Sequence, residues 1–214
     1  MSLSVSSARI GETVGGVVAQ ALSDANADGL LILESASPEG RLLVDWASAT
    51  IGAERIHTSP ADTSFSVDAL AGLPLGADNE LRRAFARLDS ANRNWLLAHP
   101  ANKTALLLSR DPPPERLLPL GDLYASQVRE LAGACTLPPE VDAVISAAGG
   151  LDAVDAALFA WLEQRLDLES ALARLGTEAA NLMRSQLRRN RAVRRWPRIV
   201  PKLGSRTLWV DLCA

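Results

Sequence analysis

A chain of 214 residues, 48% apolar and 22% charged, is long enough for one full domain core and too apolar to be disordered. A net charge of −3 excludes a global pull toward nucleic acid, and no apolar run approaches the about 20 residues that span a bilayer. Two distant cysteines, Cys135 and Cys213, exclude a disulfide framework; with a start, MSLSVSSARIGE, that lacks an apolar signal core, they make a reducing cytoplasm the expected location.

A first helix is expected over residues 9–24, with Val14, Val17, Val18, Ala21 and Leu22 forming one apolar stripe. Asn26, Asp28 and Gly29 end it. Leu30 to Leu33 reads as a buried strand, Ser35 to Gly40 as a loop, and Arg41 to about Ile51 as a helix that Gly52 stops. Residues 54–59, ERIHTS, suggest a short second strand, and residues 58–78 are loop-like. Glu80 to His99 reads as one long amphipathic helix, with Leu81, Phe85, Leu88, Trp95 and Leu96 on its apolar face. TALLLS, Thr104 to Ser109, reads as a further buried strand; the prolines of RDPPPER then exclude helix and inner strand. Residues 121–134 give another helix, with Asp122 as its N-cap. From Leu137 the chain reads as helical, broken at Gly149–Gly150 and divided at Gly176–Thr177, until Pro197 and Pro201 bring an extended tail.

Strands separated by helices imply an α/β fold with a parallel sheet. The expected organisation is one domain over residues 1–214: a sheet-forming part at about 9–134, a helical C-terminal part at about 137–200 and a tail at 201–214. Strand, tight loop and helix at residues 30–46 is also the layout in which a helix N-terminus meets a phosphate. A phosphate loop needs glycines so that its N–H groups can close on the anion, and this one has Ala36, Ser37, Pro38 and Glu39. Ser35 and Glu39 therefore allow two readings: residual phosphate and Mg²⁺ binding, or a polar turn capping a helix, with Glu39 favourable near the helix dipole. The second is preferred.

The densest charge runs through Arg184, Arg188, Arg189, Arg191, Arg194, Arg195, Arg198 and Lys202. It suits anion or nucleic-acid binding, or a solvated helix face; Trp196 alone offers stacking, which favours the solvated face. His57 and His99 have no metal-ligand spacing and read as structural or surface residues. Tyr124, Leu158 and Trp161 are expected in the core or at a dimer face.

The segment RLLPLGDLYASQVRELAG, residues 116–133, is more particular. It resembles a segment of ammonia-dependent NAD synthases that typically reads Leu-Tyr-Lys-Thr-Gln-Val after a Pro and a short apolar turn; Pro119, Leu123, Tyr124, Gln127 and Val128 match. AFARLDSANRNWLLAH resembles the family's Ala-Arg-Leu-Arg helix, FAWLEQRLDLESALARLG its late helix, and RRWPRIVPKLGSRTL its basic, Pro-rich tail. GLLILESASPEGRLLVDW falls where the family has strand, Ser-Gly-Gly-x-Asp-Ser and helix. The resemblance implies a three-layer α/β sandwich of the adenine-nucleotide hydrolase-like (PP-loop ATP pyrophosphatase) type, usually a homodimer. It implies adenylation of deamido-NAD by Mg-ATP followed by attack of ammonia. The nucleotide-binding positions would be Ser35, Ser37, Glu39, Gly40 and Ser109; the substrate side would use Arg87, Arg194 and Lys202; Glu39 would be the metal ligand.

The departures carry the functional expectation. Only Ser35 keeps its identity in the phosphate loop, Pro38 removes an N–H donor, and Gly40 has no hydroxyl. Asp89 replaces the second Arg of the helix, and Ala125 stands where Lys is usual. After TALLLS, the span RDPPPE occupies the place of Gly-Thr-x-Asn-x-Ser-Glu and a flexible loop, so the metal-binding Glu is missing. Together these losses remove the preorganised charge that phosphoryl and adenylyl transfer require. The expectation is a shortened, divergent relative with an impaired or lost activity, using Mg-ATP if active and no cofactor otherwise. The alternative is a non-enzymatic binding protein, with weak anion or nucleic-acid binding through the arginine-rich segment. A homodimer with a nucleotide as candidate ligand is expected, without membrane or nucleic acid as a main partner.

Overall fold

The structure is a computed structural model that describes residues 6–59, 95–110, 113, 115, 117–190 and 198–203. Helix α1, Ser7–Asp24, begins where the Ser6 hydroxyl accepts from Arg9 N. Ile10, Val14, Val18, Ala21 and Leu22 are its buried stripe, and Val17 sits at the stripe's half-exposed margin. Strand β1, Gly29–Leu33, follows and buries all but Leu33. Helix α2, Pro38–Ile51, stops at Gly52, whose φ of 88° suits a residue without a Cβ. Strand β2 is Ile56–Ser59 and strand β3 is Trp95–Ala98.

The sheet has the order β2-β1-β3, all parallel. Leu30 pairs with Ile56 on one side of β1 and with Leu96 on the other. Parallel bridges Ala98–Leu117 and Leu117–Ile199 carry the pairing outward beyond β3. Leu30 and Ile32 share an apolar cluster with the α1 stripe and with Leu43 and Ala47 of α2. This is an α/β fold with a parallel sheet, as the alternation of elements required.

Two sequence expectations are corrected at β3 and after it. Trp95 and Leu96 are strand, not the end of a helix reaching His99; the rest of that expected helix, with Arg87 and Asp89, lies outside the described residues. TALLLS is not a strand. It belongs to helix α3, Lys103–Leu108, which starts where Asn102 Oδ1 accepts from Ala105 N at 3.0 Å. All six α3 residues are buried, so no polar face revealed the helical period.

Helix α4, Ala125–Ala132, is shorter than expected and is not capped by Asp122. Gln127 Oε1 instead accepts from Tyr124 N at 2.9 Å, while Asp122 turns inward to Lys103. The C-terminal part is helical: α5 (Pro139–Ala147), α6 (Leu151–Leu162), α7 (Leu168–Leu172) and α8 (Thr177–Arg189). Val141, Val144, Val154, Leu158, Met183 and Leu187 join Leu106 to Leu108 of α3 in a second cluster. Tyr124 and Leu158 lie in this cluster and Trp161 packs against it from a half-exposed position. Buried Asn190 locks the end of α8 to α3 by donating to Leu107 O at 2.9 Å and to Ser109 O. Among the described residues no single helix is long and apolar enough to cross a membrane.

Candidate functional site

The chain leaves β1 toward β2 on one side, while β3 lies on the other side of β1. Loops therefore diverge at the carboxyl ends of β1 and β3, the place where open parallel sheets form a crevice. A cavity of about 90 Å³ lies there. The loop after β1 supplies Glu34 and Ser37, and the first turn of α2 supplies Glu39. The loop after β3 supplies His99 and Asn102, α3 adds Ala105, and Ser109, Thr136 and Pro138 close the wall.

The turn into α2 is built tightly. Glu34 takes a φ of 50°, and Ser37 N donates to Glu34 O at 3.0 Å. Ser37 is the N-cap of α2, its hydroxyl accepting from Gly40 N at 2.9 Å, and Pro38 has no N–H to offer. A Cβ on Gly40 would collide with Glu34 O and lie 2.6 Å from Ser35 Cα, so the glycine is required by close approach. Arg41 Nη1 donates to Ala36 O at 2.5 Å, across the outside of the turn.

Glu39 points inward. It is 3% exposed, Oε1 accepts from Thr136 N, and Oε2 is out of reach of solvent. Cys135 lies beside it, accepting from Asn102 Nδ2 at 3.4 Å. Burial first, and then its hydrogen bond to the Glu39 carboxylate and the charge of that group, push the Cys135 thiol far up, which makes it a poor nucleophile at neutral pH. At the rim His99 Nε2 is 3.4 Å from Glu34 Oε1, and His99 Nδ1 accepts from Ala101 N at 3.1 Å. Ser109 donates to Glu140 Oε1 at 3.2 Å, and Arg110 N donates to the same oxygen at 2.6 Å. The Arg110 N–H bond is the main cause that holds the Glu140 carboxyl low.

A second polar cluster is fully enclosed. Lys103 Nζ lies 2.7 Å from Asp122 Oδ1, 3.1 Å from Glu163 Oε1 and 4.7 Å from the centroid of the Tyr124 ring. Thr104 Oγ1 donates to Asp155 Oδ1 at 2.6 Å and accepts from Ala125 N at 3.0 Å, while Ser126 N donates to Asp155 Oδ2 at 2.7 Å. Desolvation pushes the Asp155 carboxyl up against the pull of those hydrogen bonds.

Of the residues singled out from sequence, Ser37, Glu39 and Ser109 meet at the cavity. Ser35 and Gly40 belong to the same turn but not to its wall, and Lys202 is exposed on the tail after Ile199. Arg87 and Arg194 lie outside the described residues. Arg184 is held in a two-bond pair with Glu169, and Arg188 and Arg189 are exposed on the last turn of α8. Sequence reasoning missed Glu34, Asn102 and Thr136 and left His99 as a bystander. The signal for Asn102 was present: an Asn three residues before the Ala105 N–H it caps, hidden by reading the strand too late. Among the described residues no group of three or more His, Cys, Asp or Glu side chains could hold a metal ion.

No protein-family model matches the sequence, and no curated protein matches it. Solved structures do. The chain is similar to an ammonia-dependent NAD synthetase from Campylobacter jejuni, solved with a nitrate ion, at a TM-score of 0.58 and 16% identity over 87% of this chain and 95% of that one. It is also similar to a glutamine-dependent NAD⁺ synthetase from Acinetobacter baumannii, solved with ADP, at a TM-score of 0.44 and 19% identity; 99% of this chain is covered and it spans 50% of that enzyme. At 16% identity the first likeness shows a shared fold.

Proposed function

We propose that this chain is a divergent, catalytically impaired relative of the ammonia-dependent NAD synthases that keeps their scaffold as a binding or interaction protein. The observation that carries the reading is the wall of the cavity. It presents the carboxylates of Glu34 and Glu39 and, among the described residues, no Lys or Arg. A polyphosphate there would meet negative charge where it needs cations and free N–H groups. Ser37 already occupies the Gly40 N–H, and Pro38 has none.

The position of β3 adds a second support. Resemblance to the family sets Gly-Thr-x-Asn-x-Ser-Glu after this strand. With β3 ending at Ala98, that pattern falls on His99 to Ala105 rather than on RDPPPE. Asn102 then matches, Thr104 replaces Ser, and Ala105 puts a methyl group where the metal-binding carboxylate would stand. Glu39 is left as the metal candidate, and a buried carboxylate with one oxygen already bonded to Thr136 N does not make a Mg²⁺ site. A volume of about 90 Å³ is also small beside the roughly 300–1,000 Å³ of ordinary cofactor pockets. The described residues do not fit Mg-ATP.

The competing reading, ATP-dependent amidation of deamido-NAD with ammonia, is separated by calorimetric titration with Mg-ATP and then deamido-NAD at moderate salt. No saturable heat is expected from either. Micromolar binding of both would overturn the proposal and make an ammonia-dependent turnover assay the next step. We further propose a homodimer in a reducing cytoplasm; light scattering should give about twice the chain mass of 22.8 kDa.

A further inference from the structure

We propose that Lys103 and Asp122 join in an intramolecular amide, formed by the chain itself with Glu163 as proton carrier. The inference stands apart from the cavity and from nucleotide binding. Only Lys103 and Lys202 are lysines among the 22 Lys and Arg residues, so the chain builds its cations almost wholly from arginine. Arginine is also the residue of choice for a buried ion pair, because its guanidinium is always charged and bonds a carboxylate through two N–H groups. The position between two buried acids is nevertheless a lysine, which unlike arginine can shed a proton and become a nucleophile.

Lys103 Nζ lies 2.7 Å from Asp122 Oδ1. A carboxyl C–O bond adds about 1.2 Å, so Nζ is within about 4 Å of Asp122 Cγ, near the roughly 3–3.5 Å of reacting atoms poised for attack. Nζ also donates to Glu163 Oε1 at 3.1 Å, which sets a base on the amine. On the far side, Asp122 Oδ2 accepts from Leu203 N at 2.7 Å, a donor placed to hold an oxyanion. The side chains of Lys103 and Asp122 are at most 1% exposed, and the Tyr124 ring covers Nζ at 4.7 Å. Groups held in this way react as if at effective concentrations of about 10⁵–10⁸ M. Passage of one proton from Nζ to Oδ1 turns the ion pair into a neutral amine and a neutral acid without change of net charge. The amine attacks Cγ and a C–N bond forms, with the negative charge falling on Oδ2 at the Leu203 N–H. Glu163 takes a second proton from the nitrogen and returns it to Oδ1, the C–O bond breaks, and one water leaves. Glu163 ends as it began, and no electrons are gained or lost. Hydrolysis of the amide would need water to enter a cluster closed to solvent.

The test is the intact mass of the folded wild-type chain, followed from synthesis through prolonged incubation at neutral pH. The expected mass is lower than that of the sequence by one water. Trypsin should then spare Lys103 and release a branched peptide joining residues 94–110 to residues 117–129, with fragmentation placing the link between Lys103 and Asp122. Lys103→Arg and Asp122→Ala should keep the full mass, and Glu163→Gln should slow the loss of water at least about a hundredfold. The inference is overturned by full mass that persists in the wild type, by a lost water that maps to the imide-forming pair Asp28–Gly29, or by a loss unchanged in Lys103→Arg or Glu163→Gln. The wild-type mass and the branched peptide decide by themselves where a variant fails to fold. Neither result touches the functional reading, which stands or falls on Mg-ATP.

Discussion

Helix α3 serves two regions that treat buried charge in opposite ways. Lys103 and Thr104 enter a closed network in which an ammonium faces two carboxylates and Asp155 receives two donors. Asn102, the cap of the same helix, and Ala105 border a cavity beside which the buried Glu39 carboxylate meets a backbone N–H and a thiol. Both regions contain acids that sequence alone would place on the surface. The first joins segments separated by 19 residues (Lys103 to Asp122) and 60 residues (Lys103 to Glu163) and holds the sheet part to the helical part. The second gives its buried acid only neutral donors, an amide N–H and a thiol.

Breaking the closed network should cost most. Lys103→Met leaves Asp122 and Glu163 facing each other with side chains nearly out of solvent. A loss of about 3–5 kcal/mol is expected in urea unfolding. A variant within 1 kcal/mol of wild type, roughly the scale of an exposed pair, would show that the network does not hold the two parts together.

Asp155→Asn probes the same network through pH. Its amide cannot accept from both Thr104 and Ser126 without turning a donor toward one of them, so about 1–3 kcal/mol should be lost at neutral pH. The folded carboxyl titrates above its ordinary 3.8. Its favourable contribution is therefore full below 3.8 and lost as pH rises through the folded value. The gap between wild type and Asp155→Asn should accordingly widen as pH is lowered from neutral toward 4, read by denaturation at each pH. A gap that narrows on acidification would reverse the sign assigned to burial.

At the cavity smaller effects are expected. Ser37→Ala removes the acceptor for Gly40 N and should cost about 0.5–2 kcal/mol, measured by thermal or urea unfolding. Glu39→Gln should be the mildest, within about 1 kcal/mol of wild type or more stable, because an amide keeps an acceptor for Thr136 N and removes a desolvated charge. A loss as large as that of Lys103→Met would erase the contrast between the two regions and make Glu39 part of the scaffold.

Much of the fold was legible locally. The α1 stripe, the buried run of β1, the stop at Gly52 and the break at Gly149–Gly150 follow from periodicity and glycine placement. Two elements were not. WLLA at Trp95–Ala98 fits a helical window when read with the residues before it, and KTALLL is apolar enough to pass for a strand. Pairing with β1 makes the first a strand, and the Asn102 cap with burial on every side makes the second a helix. Of the site, Ser37 and Glu39 could be named because the layout of strand, loop and helix is local. Thr136 could not, since it meets Glu39 across 97 residues.

The sequence by itself determined that the chain alternates strands and helices around a parallel sheet, and that the loop after β1 lacks the glycines a phosphate loop needs. Only the tertiary structure decided what each buried acid does. Asp122 and Glu39 are both acids near the start of a helix, and either reads as a cap. Folding brings an ammonium to Asp122, and to Glu39 only a backbone N–H and a thiol. The worth of a buried charge depends on what stands within a few ångströms of it, and that neighbour comes from another part of the chain.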